Sequence, residues 1–426
     1  MPKTIKKRQK VRKRQKVRKY TKKKKLKGGR KVGKGGFGCV VKPYVKCDMS
    51  LDPRMHVSKL IFKGTNSKSF VEEIKISNMI KKLDKDNKYF ITYTEMCSLN
   101  KNQLSRPDII DVKYEQNDND LFKIMNETEL RKKDKDACYI DFTKKPKNII
   151  MIDGGIDLNK VIKYDSSAII KYKNNIKKHL PRYLFKLLLG IKKLHYGNIV
   201  HKDIKPLNIL VNYKQYDSKL EYKGKKINDD TYLDFRFIDF GLSKAVQQIK
   251  NLHDINSSGT LGYVPPELVI LHRLYKIIKG DFNPQTKEDI EHLKNEIITL
   301  IKDIMDKFLK RGITRSNLKM QPVDKNTYFY KNSVFSETDI KKLVNLLYKN
   351  IKRKTLFDKF TNRVSGYLYK SDVFALGVSF FLLYDSINVN DNTLLDLIRN
   401  MIKCNPDERY DINQCLKHPY FRQLSI

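Results

Sequence analysis

Asp203, Lys205 and Asn208 sit in GNIVHKDIKPLNILVN, residues 197–212, a stretch that is otherwise largely apolar. Buried charge is costly unless it is paired or has work to do. A carboxylate there suits taking a proton from a hydroxyl, and an amide oxygen suits a hard cation. The plainer reading is a polar turn between two short strands. A second stretch, KVGKGGFGCVV, spaces Gly33, Gly35 and Gly38 as G-x-G-x-x-G and follows them with Val40. Glycines let a backbone approach phosphates and donate N–H groups to them. A glycine-rich hairpin alone has the same composition. A dinucleotide-binding loop joins a strand to a helix. Here Phe37 and the CVV run predict strand, loop, strand. The phosphate cover would then comprise Val32, Gly33, Lys34, Gly35, Gly36, Phe37, Gly38, Cys39 and Val40.

Such a cover calls for a cation on the next strand. HVSKLIF, residues 56–62, alternates, which puts Val57, Lys59 and Ile61 on one face. Lys59 and Lys63 both qualify, and Lys59 is preferred because Lys63 stands at the strand's end, before Gly64. Either is otherwise a surface lysine in a lysine-rich chain. The cation needs an orienting carboxylate. SFVEEIKISNMIKKLD, residues 69–84, has apolar positions at helical spacing, with Ser69 as a plausible cap. Glu72 and Glu73 both open it, and Glu73 is preferred because it shares a face with Ile76 and Ile80. A glutamate at a helix start is also favoured by the macrodipole alone. Downstream, His201, Asp203 and Asn208 match H-x-D-x-x-x-x-N, and Asp239-Phe240-Gly241 begins 31 residues after Asn208. Phosphoryl transfer needs an aligned nucleophile and neutralised charge more than covalent help. In that chemistry Asp203 accepts the hydroxyl proton, Asn208 and Asp239 hold Mg²⁺, and Lys205 reaches the transferring phosphate.

In order and spacing these motifs resemble the eukaryotic protein kinase family over roughly residues 30–424. The resemblance implies an α+β fold of two lobes, a strand-rich one at about 30–153 and a helical one at about 154–424, with ATP between them. It implies a linker near Ile150–Gly154. GTLGYVPPE (259–267) resembles the end of an activation segment. SDVFALGV (371–378) resembles the helix that anchors the catalytic loop through Asp372. NPDERYDINQCLKHPYF (405–421) resembles the closing helices, with Glu267 and Arg409 matching a buried ion pair. Lys205 and Thr260 are features of the serine/threonine branch, where the threonine hydroxyl helps to order the catalytic loop. Three departures stand out. Lys202 replaces the usual arginine and lacks its bidentate fork, Phe374 replaces a tryptophan, and the stretch between PPE and SDVFALGV is unusually long.

The chain has 426 residues and a formal charge of +41, so anionic partners are expected. Residues 1–30 hold 17 Lys or Arg and no Asp or Glu, with KRQKVR repeated at 7–12 and 13–18. Residues 1–29 read as a disordered basic tail, whose segment 1–28 suits non-specific nucleic acid or an acidic partner. Lysine-rich stretches near 99–137, 213–233 and 272–365 read as insertions, the last with an amphipathic helix at 289–310. That insertion is either a small helical subdomain or a partner-binding surface. Insertions and composition together resemble kinases of large DNA viruses of eukaryotes. Cys39, Cys47, Cys97, Cys138, Cys404 and Cys415 are scattered without a C-x-x-C pair. That spacing argues against zinc or a disulfide framework and fits a reducing, intracellular setting. No secretory signal is evident, and the run VFALGVSFFLLY (373–384) is too short to span a membrane. An active enzyme with ATP, Mg²⁺ and protein substrates is the leading expectation. A catalytically silent scaffold and a nucleic-acid-associated protein acting through its tail are the rivals.

Overall fold

The computed structural model describes residues 30–34, 38–61, 68–100, 103, 112–114, 138–140, 142, 145–213, 220–222, 225–227, 232–249, 259–260, 262–276, 286–314, 337–352 and 357–424. The basic tail, the loop residues Gly35, Gly36 and Phe37, and Lys63 lie outside them.

The first third of the chain forms strands β1 (Arg30–Lys34), β2 (Gly38–Lys42), β3 (His56–Ile61) and β4 (Tyr93–Ser98). After a parallel pair, β5 (Val112–Tyr114) and β6 (Cys138–Ile140), comes β7 (Lys147–Ile152). Five of them make one antiparallel sheet in the order β1-β2-β3-β7-β4. On one face Ile61 and Ile149 pack against Phe70 of helix α1 (Lys68–Leu83). The helix begins at Lys68, so Ser69 lies within its first turn rather than at its cap. The run FITYTEM, residues 90–96, reads as a strand, yet β4 begins only at Tyr93. Phe90, fully buried, is drawn into the main core and bridges to Phe237 instead.

The opposite face is covered by residues 43–55, which run back across the sheet as a strap. Mid-strand Ser58 and Asn148, both fully buried, face it. Val45 N donates to Ser58 Oγ at 2.8 Å, and Asn148 Nδ2 donates to Val45 O at 2.7 Å. The two buried polar side chains thus satisfy the strap's backbone. Cys47 of the strap is disulfide-bonded to Cys97 of β4, with Cα atoms 5.9 Å apart, and Cys39 is disulfide-bonded as well. This corrects the expectation drawn from cysteine spacing. The bond joins residues 50 apart in sequence, and no local pattern marks them.

The helical lobe follows the short linker 153–155. Its helices are α2 (Leu158–Lys163), α3 (Ser167–Lys178), α4 (Leu180–Tyr196), α5 (Pro266–Lys276), α6 (Lys287–Thr314), α7 (Glu337–Lys352), α8 (Phe357–Ser386), α9 (Asn392–Met401) and α10 (Ile412–Leu416). The same part of the chain contains small strands β8 (Ile156–Asp157), β9 (Ile199–Val200), β10 (Ile209–Tyr213), β11 (Leu220–Tyr222), β12 (Lys225–Ile227), β13 (Leu233–Phe237) and β14 (Lys244–Ala245). They pair as β13-β10-β8, β14-β9 and β11-β12. Helix α4 carries its proline in the first turn, where the missing N–H has no intrahelical partner to lose. The apolar run 373–384 lies inside α8, where Val373, Phe374, Leu376, Val378, Phe380 and Leu383 are buried on several sides. Among the described residues no helix is long and apolar enough to cross a membrane. Gly377 lets α9 come close, since a Cβ there would meet Met401 Cβ at 2.8 Å.

The amphipathic segment 289–310 lies within α6. Ile297 and Ile301 of α6, with Ile340, Val344 and Leu347 of α7, join the same core as α5 and α8. Helices α6 and α7 are therefore a helical pair packed on the main body.

Candidate active site

The linker holds the lobes in register at one edge. Asp153 N donates to Met55 O at 2.8 Å, and Asp153 Oδ1 accepts from Gly155 N at 2.9 Å. Gly155 has φ +87°, and a Cβ there would lie 2.4 Å from Val211 O, so the turn requires glycine.

Period two on β3 aims Lys59 away from Ser58 and into the seam between the lobes. Its Nζ lies 3.3 Å from Glu73 Oε1 and 3.4 Å from Asp239 Oδ1. Glu72 instead pairs with Lys75 at 3.2 Å on the exposed side of α1. Burial works against the Lys59 charge, but Asp239 and then Glu73 outweigh it and push its pKa up. At Asp239 burial likewise opposes ionisation, and Lys59 foremost, then His201 and Lys205, holds the carboxyl below its usual range. Asp239 has φ +66°, and Phe240 beside it is buried against Phe90 and His201. Gly241 leaves room for Glu73, whose Oε2 would lie 3.3 Å from a Cβ.

The shifts fix a pH expectation. Asp239's contribution is present above about pH 3.9 and lost as pH falls through its lowered value. That of Lys59 is present below about pH 10.4 and lost as pH rises through its raised value. The pair therefore stays charged from about pH 6 to 9, and nucleotide affinity measured by calorimetry should show no midpoint from it there. A midpoint abolished by Lys59→Met would contradict this.

The loop between β9 and β10 brings its polar residues together. Asp203 Oδ2 accepts from Lys205 Nζ at 2.6 Å and from Asn208 Nδ2 at 3.0 Å. Asp203 Oδ1 accepts from Thr260 N at 3.2 Å and Thr260 Oγ1 at 2.8 Å. Lys205 Nζ also reaches Thr260 Oγ1 at 2.7 Å. Asn208 Nδ2 donates to Asp203 O at 2.8 Å as well, so the amide's donors turn inward. Its oxygen accepts no hydrogen bond among the described residues. That oxygen and the Asp239 carboxylate, 46% exposed, are hard donors of the kind Mg²⁺ takes.

The loop is anchored from below. Asp372, at 1% exposure, accepts from His201 N at 2.8 Å and Lys202 N at 3.0 Å, and His195 Nε2 lies 3.1 Å from it. Holding both amides on one carboxylate accompanies φ +65° at Lys202, a strained value for a non-glycine residue. Ser243 Oγ donates to His201 O at 3.0 Å. His195 and Ser243 escaped sequence reasoning, because neither belongs to a spacing that implies the contact. Glu267 and Arg409 form two bonds of 2.6 and 2.9 Å with both side chains fully buried. Val32, Gly33, Lys34 and Gly38 fall on β1 and β2, with Cys39 and Val40 following on β2. Cys39 is buried.

A small antiparallel sheet with one helix sits on a helical body, and two cations, three carboxylates and an amide converge at the seam. This is a two-lobed α+β architecture. The chain belongs to the protein kinase family: the model for the protein kinase domain matches residues 108–421. The match begins beyond β1–β4 and α1, so Lys59 and Glu73 stand on geometry alone. Among similar proteins, a DNA damage response protein kinase of Saccharomyces cerevisiae is 26% identical over 57% of this chain and 34% of its own length. Mitogen-activated protein kinase 2 of Arabidopsis thaliana is 25% identical over 63% of this chain and 54% of its own. A probable inactive protein kinase of Arabidopsis thaliana is 23% identical over 58% and 66%. The chain thus spans about a third to two thirds of the length of these relatives.

Proposed function

We propose that this chain is an ATP- and Mg²⁺-dependent serine/threonine protein kinase. The observation that carries the reading is the four-donor clasp on Asp203, from Thr260, Lys205 and Asn208, beside the Glu73–Lys59–Asp239 chain. Asp203 holds the acceptor hydroxyl of a protein substrate and takes its proton as the oxygen bonds to the γ-phosphorus. The bond from that phosphorus to the bridging oxygen breaks, and ADP leaves. Lys205 neutralises charge on the transferring group, and Lys59, oriented by Glu73, meets the other phosphates. Backbone N–H groups of residues 32–40 cover them. Asn208 and Asp239 would hold Mg²⁺, which supplies charge neutralisation at the phosphates.

A phosphotransfer assay with γ-labelled ATP and a generic basic protein, followed by mapping of labelled residues, tests this. Label on serine or threonine is expected. Mg·ATP binding with no transfer to any substrate favours the scaffold reading, which the inactive relative keeps open.

In this reading residues 30–424 are the kinase domain, with lobes at 30–153 and 154–424 and an insertion at 272–365, and the protein acts inside a cell. Residues 1–28 hold anionic partners without sequence preference. Removing them should weaken duplex DNA binding at low salt. The full chain's log affinity should fall with log salt by about 0.9 per phosphate contacted. Equal binding by the shortened chain would refute a role for the tail.

A further inference from the structure

We propose that Cys47 and Cys97 are a reversible thiol–disulfide latch that pins the 43–55 strap over the small sheet and tunes the nucleotide cleft. The strap leaves β2, crosses β3 and β7, and reaches β4. There Glu95 Oε1 accepts from Asp48 N and Met49 N, each at 3.0 Å, next to the disulfide. It then returns to the linker, where Met55 O takes the Asp153 N–H at 2.8 Å. One end of the strap is thus locked by sulfur and the other touches the joint between the lobes. The segment enclosed by the bond contains β3 with Lys59 and α1 with Glu73.

The cysteines divide by environment. Cys404 and Cys415 are free and buried, at 4% and 0% exposure. Burial pushes the Cys404 thiol up to about 12 and the Cys415 thiol higher still, so neither reacts readily. Cys47 and Cys97 are only half-buried. Amide donors face their sulfurs: Asn148 Nδ2 lies 3.4 Å from Cys47 Sγ and 3.9 Å from Cys97 Sγ, and Gln103 Nε2 lies 3.8 Å from Cys97 Sγ. Access and donors that stabilise a departing thiolate are what exchange requires. The strap's other ties, at Val45 and Met55, do not depend on the bond, so opening it loosens the strap without dismantling the sheet.

The oxidant is a small-molecule disulfide such as oxidised glutathione. One cysteine thiolate attacks it and releases one glutathione. The second attacks the mixed disulfide and releases another, and the two cysteine protons end on the two glutathione thiols. Reduction runs the same steps backwards.

The latch is tested on the full chain equilibrated in oxidised or reduced glutathione, by peptide mapping after alkylation, melting, and Mg·ATP calorimetry. Under oxidising conditions a Cys47–Cys97 cross-linked peptide is expected. Oxidised wild type should melt about 5 °C or more above oxidised Cys47→Ser and Cys97→Ser. It should bind Mg·ATP about fivefold or more tightly than they do. Under reducing conditions all three should coincide, which separates loss of the latch from a folding defect and from the Cys39 disulfide. Alkylatable Cys47 and Cys97 in oxidised protein overturn the proposal. So does equal melting, or equal nucleotide affinity, of oxidised wild type and Cys47→Ser. Only the affinity readout rests on the kinase reading. Failure of phosphotransfer alone would strike that reading and leave mapping and melting intact.

Discussion

Asp203→Asn should leave Mg·ATP affinity nearly unchanged and lower turnover by about 10²–10⁴-fold, the range for losing a general base. The carboxylate accepts four donors, from Thr260 N and Oγ1 on one oxygen and from Lys205 and Asn208 on the other. Asparagine replaces one of those oxygens with a donor, so donor faces donor on that side. The substitution therefore also leaves donors unpaired at a side chain only 9% exposed, at about 1–3 kcal/mol each. Melting should fall modestly alongside the rate. Asp239→Asn behaves differently on the proposed assignment. It removes charge that Lys59 leans on and that a cation would meet, so affinity and turnover fall together. Calorimetric Mg·ATP titrations beside a phosphotransfer assay separate the two patterns. Wild-type turnover in Asp203→Asn would return the loop to the status of a polar turn.

The second large effect lies away from the seam. Arg409→Ala should destabilise the chain by about 3–5 kcal/mol, because it strands the Glu267 carboxylate in a fully buried site. Arg409 also donates to Lys403 O at 2.9 Å and Cys404 O at 3.2 Å, and its guanidinium lies 4.9 Å from the Phe374 ring centre. One side chain therefore ties α5, α8 and the turn before α10. At about 2–4 °C per kcal/mol, calorimetry should record a melting point lower by about 6 °C or more. Arg409→Lys keeps the charge but not the fork, and it should recover only part of the loss. An unchanged melting curve in Arg409→Ala would mean that the pair holds nothing together.

The elements set by short-range pattern were legible in advance. KNIIMI (147–152) reads as a strand and is β7 to the residue, and LPRYLFKLLLGIKKLH (180–195) reads as a strongly apolar helix and is α4 but for one further residue. Both follow from periodicity that neighbours a few residues apart enforce. Legibility failed where a side chain's environment comes from far along the chain. Phe90 reads as strand, yet the core at Phe237 claims it. Ser58 and Asn148 carry no sequence signal of their own, yet they satisfy the strap's backbone. The cysteines show no telling spacing, because the strap and the sheet order bring Cys47 to Cys97.

The sequence by itself determined the order of chemical groups, the two strands on either side of Gly35 and Gly36, and Asp203 and Asn208 within one loop. Each is a matter of residue type and spacing over a few positions. Only the tertiary structure decided which partners those groups meet. Thr260 reaches Lys205 across 55 residues, Asp372 anchors the Lys202 amide across 170, and Arg409 meets Glu267 across 142. Glu73 rather than Glu72 faces Lys59 because packing of Phe70 against Ile61 and Ile149 sets the rotation of α1 over the sheet. Local propensity cannot encode such contacts. They form when apolar burial closes long loops at once, and the polar groups left inside must then find one another.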